Sequence, residues 1–142
     1  MERKNFSPSL YSTNDTRARR AIQRLLERQG WTVTNAETYG VDLLAHKHGV
    51  MVQHEVEIKN VWDGPWPKQW STIQIPERKS RLFKSEDQLV FWVVSQDTGE
   101  AWGITSQAVR ESPLVEVPNR FVDKGERFYQ VPIEKALLVK LS

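Results

Sequence analysis

The chain has 142 residues, of which 39% are hydrophobic and 27% are charged, and its formal net charge is +2. This length and composition predict one globular domain spanning residues 1–142, and they exclude a disordered chain. The absence of cysteine excludes a disulfide scaffold, a thiol nucleophile and a zinc site with thiolate ligands. No apolar run approaches the ~20 residues of a membrane span, so we expect a cytoplasmic protein without a membrane partner.

Two short segments carry a strong excess of positive charge. Residues 16–28 and residues 68–84 each contain five basic residues and one glutamate, so each segment has a local charge of +4. Two such segments in a nearly neutral protein indicate a polyanionic partner such as nucleic acid. The alternative is that both segments are the solvated faces of ordinary helices.

The first half of the chain predicts a helix followed by three strands. Residues 1–13 are expected to form a loose lead-in, and the apolar spacing of residues 15–29 predicts a helix. Strands are predicted next at residues 31–34, 41–46 and 50–59, and a turn at Lys47-His48-Gly49 precedes the last of them. The side of the helix opposite its apolar residues carries arginines that we expect to contact phosphates, namely Arg17, Arg20 and Arg24.

The second half predicts a further helix and several strands. Residues 60–75 contain three tryptophans and two prolines and are expected to be irregular. Pro76 suits the first turn of a helix reaching Lys84, and its expected phosphate contacts are Arg78, Arg81 and Lys84. The remaining predicted elements are a strand at 88–95 buried on both faces, a strand at 101–104, a helix near 106–111 and peripheral strands around a Lys124-Gly125 turn. This order predicts an α/β fold with a mixed central sheet flanked by helices, plus C-terminal strands.

Charged side chains occupy one face of the strand predicted at residues 50–59. Glu55, Glu57 and Lys59 share this face, because alternate side chains of a strand point the same way. Asp42 lies in the preceding predicted strand, so the carboxylates of the two strands are expected to converge. Converging carboxylates fit Mg²⁺, and a nearby lysine fits the charge that develops on a phosphate during metal-assisted hydrolysis. The alternative is an edge strand with solvated ion pairs.

The segment Val41-Asp42, followed 15 residues later by Glu57-Ile58-Lys59, resembles the PD-(D/E)XK nuclease superfamily. That superfamily includes restriction endonucleases and Holliday-junction resolvases, and the run Ile75-Pro76-Glu77-Arg78-Lys79 resembles its small phage-encoded members. The resemblance implies a restriction-endonuclease-like αβββαβ core. It also implies that Asp42, Glu57 and the carbonyl of Ile58 bind Mg²⁺ or Mn²⁺, that Lys59 is the catalytic lysine, and that the protein is a homodimer.

The chain departs from the family pattern at two positions. Val41 stands where the family has proline, and Arg19 stands where many resolvases have a glutamate in the first helix. Asp15, one turn earlier, is a candidate substitute for that glutamate. Gln74 is a candidate for the glutamine that some members carry after the lysine.

Aromatic and histidine residues supply two further hypotheses. Trp62, Trp66 and Trp70 are spaced by four residues, and we expect Trp66 to stack on bases or on a DNA branch. The alternative is a loop anchored by aromatic packing. The pair His46 and His48 is not expected to bind zinc, and the alternative role for His46 is a position beside Asp42.

The features together predict a metal-dependent endonuclease that cleaves duplex or branched DNA through Asp42, Glu57 and Lys59. A non-catalytic nucleic-acid-binding module on the same fold is the alternative. A third interpretation is an interaction protein that binds another protein through its tryptophan-rich segment.

Overall fold

The computed structural model describes residues 8–36, 40–83, 88–119 and 122–141. The helices and strands, in chain order, are α1 (Pro8–Arg28), β1 (Thr32–Asn35), β2 (Leu43–Lys47), β3 (Val50–Lys59), β4 (Thr72–Pro76), α2 (Ser80–Phe83), β5 (Leu89–Ser95), β6 (Glu100–Thr105), α3 (Ser106–Arg110), β7 (Leu114–Asn119), β8 (Val122–Pro132) and β9 (Leu137–Lys140). Short 3-10 helices follow β4 at Glu77–Lys79 and β8 at Ile133–Lys135. No helix among these elements is long and apolar enough to cross a membrane.

The strands form two sheets. The central sheet has six strands in the order β1-β2-β3-β5-β6-β9, and its neighbours are antiparallel except for β3 and β5, which run parallel. The second sheet is antiparallel and has the order β4-β8-β7. The prediction of an α/β fold with a mixed central sheet is therefore confirmed.

Each face of the central sheet packs against a different layer. The face that we call the helix face buries Ile22 and Leu25 of α1 against Val56 and Val94. The opposite face, which we call the second-sheet face, packs Phe91 and other apolar side chains against residues of β4 and β8, namely Ile73, Ile75 and Val131. Strand β5 contributes to both clusters, which confirms the prediction that it is buried on both sides.

A two-residue turn joins β2 to β3 and fixes their register. Lys47 pairs with Val50, and the turn residues His48 and Gly49 have φ angles of 50° and 79°. Two consecutive positive φ angles are typical of a type I′ hairpin turn, for which glycine is well suited. The same register pairs Leu43 at the start of β2 with His54 in the middle of β3.

A buried polar pair joins β3 to β5 on the helix face. Trp92 Nε1 donates a hydrogen bond to His54 Nδ1 over 2.9 Å, and burial lowers the pKa of His54 to about 4. A Cβ at Gly103 would lie 2.8 Å from Trp92 Cζ3, so only glycine leaves room for the indole on neighbouring β6. His54 is therefore a neutral core residue on the face away from Glu55 and Glu57.

Three predicted elements differ in the structure. The lead-in is wrong for residues 8–13, which belong to α1, because Pro8 suits a first turn and the following polar residues lower helix propensity only slightly. The irregular segment predicted at residues 60–75 is wrong for residues 72–75, which belong to β4 together with Pro76, at a sheet edge that tolerates proline. The helix predicted from Pro76 to Lys84 begins one residue later, as the 3-10 helix Glu77–Lys79 followed directly by α2. The predicted Lys124-Gly125 turn lies inside β8, next to an irregular register with β7, so Gly125 adopts its φ of 70° within a strand.

Candidate active site

Asp42 lies just before β2 and bonds directly to β3. Its Oδ2 accepts a hydrogen bond from the backbone N–H of Val56 over 2.8 Å. Its own carbonyl accepts one from Ala36 N–H over 3.1 Å. Because β2 begins only at Leu43, the carboxylate continues the hydrogen bonding to β3 beyond the end of the ladder. The side chain of Asp42 is thus held by the backbone of β3, and its own backbone is held by the residue that follows β1.

Glu55 is the carboxyl group that meets Asp42. The hairpin register, continued by one position beyond the pair Leu43 and His54, places Glu55 across from Asp42, and the residue is only 7% exposed. Burial, followed by the hydrogen bond and the negative charge of Asp42, raises the pKa of Glu55 to about 8, while Lys79 and Arg81 oppose the rise. At pH 7 Glu55 is therefore protonated and donates to Asp42. Two carboxyl groups that share one proton form a pair in which a divalent cation can replace that proton.

Glu57 and Lys59 follow Glu55 on the same face of β3. Each step of two residues along a strand covers about 7 Å, so the charged groups form a row. Both side chains line a cavity of about 180 Å³ together with Gln74 of β4 and Ile58. Burial lowers the pKa of Lys59, while the negative charge of Glu57 opposes that shift. Lys59 Nζ also lies 5.6 Å from the ring centroid of Trp70.

The carbonyl of Ile58 points to the same side of β3 as Asp42. Gln53 N–H donates toward β5, to the carbonyl of Gln88, whereas Val56 N–H donates to Asp42 on the opposite side. Successive residues of a strand direct their backbone groups alternately to the two sides, so Ile58 follows Val56. Since β2 pairs with β3 only as far as His54, the Ile58 carbonyl lies beyond the end of the hydrogen-bond ladder between β2 and β3.

The donor set fits a hard divalent cation. Among the residues that the structure describes, no three His, Asp or Glu side chains form a group that could hold a metal ion. Mg²⁺ usually takes one or two protein carboxylates and completes its shell with waters and phosphate oxygens. The carboxyl pair of Asp42 and Glu55 meets that requirement.

The predicted phosphate-binding residues are divided between two faces. Arg17, Arg20 and Arg24 are exposed on α1, which packs on the helix face, whereas Glu55, Glu57 and Lys59 point to the second-sheet face. Arg20 also lines a cavity of about 190 Å³ with Leu43, the residue after Asp42. The α1 arginines are therefore not on the same face of the central sheet as Glu55, Glu57 and Lys59.

The second basic segment lies on the side of the carboxyl pair. Arg81 Nη1 donates to the carbonyl of Gly40 over 3.5 Å, and its charge reaches Glu55. Arg78 is paired with Glu126, with 3.7 Å between Nη1 and Oε1, and both side chains are largely exposed. Lys84, and the Asp15 side chain, lie outside the residues that the structure describes.

Trp66 is packed in a cluster of indole rings. Its ring centroid lies 5.0 Å from those of Trp62 and Trp70 and 5.6 Å from that of Trp102, with edge-to-face geometry throughout. Its Nε1 donates to the carbonyl of Trp70 over 2.7 Å. These contacts favour the anchoring role for Trp66, and they leave Trp70 beside Lys59.

Sequence reasoning placed Glu55 on the charged face but gave the metal-ligand role to Glu57, and it did not assign Lys79 or Trp70 to the site. Glu55 had a usable signal, because a two-residue turn at His48-Gly49 pairs positions that sum to 97, and Asp42 then falls opposite Glu55. Lys79 and Trp70 gave no such signal, since their positions depend on β4 and on the loop before it. His46 is exposed and pairs with Met51, so it does not lie beside Asp42.

The sequence was also compared with known proteins. It matches no protein-family model, and no curated protein is significantly similar to it.

Proposed function

We propose that this protein is a divalent-cation-dependent nuclease that hydrolyses phosphodiester bonds of DNA, on a restriction-endonuclease-like fold. The contact between Asp42 and Glu55 carries the proposal, because it joins two carboxyl groups where β2 stops covering β3. Asp42, Glu55 and the Ile58 carbonyl would hold Mg²⁺ or Mn²⁺, with Glu57 next along the row. The ion, when bound, supplies a Lewis acid that activates water and neutralises phosphate charge.

Other residues of the chain would provide positive charge at the reacting phosphate and hold it in position. Lys59 presents an ammonium group in a half-buried cavity, where a fixed positive charge stabilises developing negative charge better than it does in water. Trp70 holds that ammonium by a cation–π contact, which limits the positions it can adopt. Arg81 and Lys79 add positive charge beside the carboxyl pair, and this favours the approach of a polyanion.

The first prediction concerns Lys59. Lys59→Ala should lower the cleavage rate by about 10²–10³, because it removes a positioned cation from the charge that develops on phosphorus. The measurement is the cleavage rate of labelled linear, flap and four-way DNAs with Mg²⁺ or Mn²⁺ and with EDTA. Wild-type protein should cut at least one of these substrates only when a divalent cation is present.

Lys140→Ala is the matched control, because Lys140 is exposed on β9, which pairs only with β6. It should cut at the wild-type rate. Equal rates for the Lys59 variant and the Lys140 variant would contradict the assignment of Lys59.

The second candidate is a nucleic-acid-binding module without catalysis. One observation favours it, namely that Asp42 and Glu55 already satisfy each other through a hydrogen bond. A protein that only binds DNA should do so with an affinity that does not change with Mg²⁺, and it should cut none of the DNAs above.

The predicted homodimer is tested by sedimentation of the wild-type protein with and without DNA.

A further inference from the structure

A second and larger cavity adjoins the proposed catalytic cavity. Its volume is about 330 Å³, and its walls include Trp66, Trp70 and Gln69 of the segment between β3 and β4. Lys59 and Gln74 line both cavities, so the two lie side by side at these side chains. A ligand in the larger cavity would therefore lie beside the ammonium group assigned to the reacting phosphate.

The walls combine flat apolar surface with amide groups. Trp66 and Trp70 are half-buried, and Val61, which also lines the cavity, is 72% exposed. The side chains of Gln69 and Gln74 are exposed at the cavity, and each amide offers two donors and an acceptor. The half-buried ring of Trp70, which the anchored Trp66 positions, offers an aromatic surface, and the two amides offer hydrogen bonds, so the cavity suits a nucleobase. Its volume lies at the small end of the range of ligand cavities.

We propose that this cavity receives one unpaired nucleobase of the DNA strand whose phosphate lies at Lys59. The inference rests on the proposed nuclease function and names its substrate class as DNA with unpaired bases, such as single strands, flaps or branches. In a continuous duplex the bases are stacked between the two backbones, so a base can enter a cavity beside its own phosphate only after it has left the stack. An already unpaired base avoids that cost.

The test compares two single strands of equal charge. Fluorescence anisotropy in Ca²⁺ would measure the affinity for a labelled oligonucleotide of about 12 nucleotides, and for an abasic strand with the same number of phosphates. Wild-type protein should bind the base-containing strand at least about fivefold more tightly, because stacking and amide contacts are absent from the abasic strand. Gln69→Ala combined with Gln74→Ala should lose most of this preference while affinity for the abasic strand stays the same.

Gln29→Ala is the matched control. Gln29 lies at the other end of β3, since its carbonyl accepts from Lys47, which pairs with the first residue of β3. This variant should keep the wild-type preference. Equal affinity of wild-type protein for the two strands would overturn the inference, even where DNA is cleaved. A retained preference without cleavage would instead overturn the nuclease proposal and support the base-binding cavity.

Discussion

In the proposed site, a proton and a metal ion compete for the carboxyl groups of Asp42 and Glu55. One oxygen of Asp42 is committed to Val56 N–H, and the carboxyl pair retains one proton near neutral pH because Glu55 is buried beside a negative charge. A cation bound there requires Glu55 to lose its proton, so its affinity rises with pH. The residues therefore link metal binding, pH and stability.

The second prediction follows from the raised pKa of Glu55. A glutamic acid that keeps its proton to about pH 8 when folded, but loses it near pH 4.5 when unfolded, stabilises the fold fully below pH 4.5. That contribution falls as pH rises from 4.5 to 8. Glu55→Gln keeps an amide donor for Asp42 but cannot titrate, so its free energy of unfolding in EDTA should lack this decline. Urea unfolding at pH steps from 4 to 9 measures it.

Glu116→Gln is the control for this titration, because Glu116 is exposed on β7. It should follow the wild-type pH profile. Parallel profiles for wild type and Glu55→Gln would contradict a shared proton between Asp42 and Glu55. Mg²⁺ added above pH 8 should stabilise the wild-type protein more than the Glu55 variant, since the ion then replaces the lost proton.

At the scale of elements, local patterns were sufficient for β2, β3 and β5. The alternation in β3 and the continuous apolar run of β5 are complete within each strand, and both strands lie where the sequence predicts. Strand β4 was not predictable in the same way, because its partner β8 lies more than fifty residues further along the chain. The same holds for the site. The row of Glu55, Glu57 and Lys59 is predictable from the alternation within β3, whereas the position of Gln74 beside it depends on the pairing of β4.

The third prediction concerns the segment that joins β3 to β4. Trp66→Ala should lower the free energy of unfolding by about 3 kcal/mol, because it removes a ring that packs on three other indoles. Urea unfolding measures this change. If Trp66 instead stacks on DNA, as the sequence alone predicts, stability should hardly change and DNA affinity should fall. Val61→Ala, at an exposed position of the same segment, should leave stability nearly unchanged.

At the scale of the whole molecule, the last residues close the helix face. Strand β9 pairs with β6 as the sixth strand of the central sheet, and the sequence patterns do not predict this strand. Leu141 then packs in the cluster formed by α1 and the sheet, and it is only 5% exposed. Its N–H donates to the Gly99 carbonyl, and its carbonyl accepts from Arg28 Nη2. Leu141 is a single leucine between Lys140 and Ser142, so no local pattern of apolar residues predicts this long-range contact.

The last prediction tests this closure with two leucines from the same segment. Leu141→Ala should lower the free energy of unfolding by about 2 kcal/mol or more, because it empties part of the cluster beneath α1. Leu137→Ala should change it by less than about 0.5 kcal/mol, since Leu137 is 66% exposed on β9. Urea unfolding of both variants gives the comparison. Equal small losses would mean that the Leu141 side chain contributes little to the cluster beneath α1.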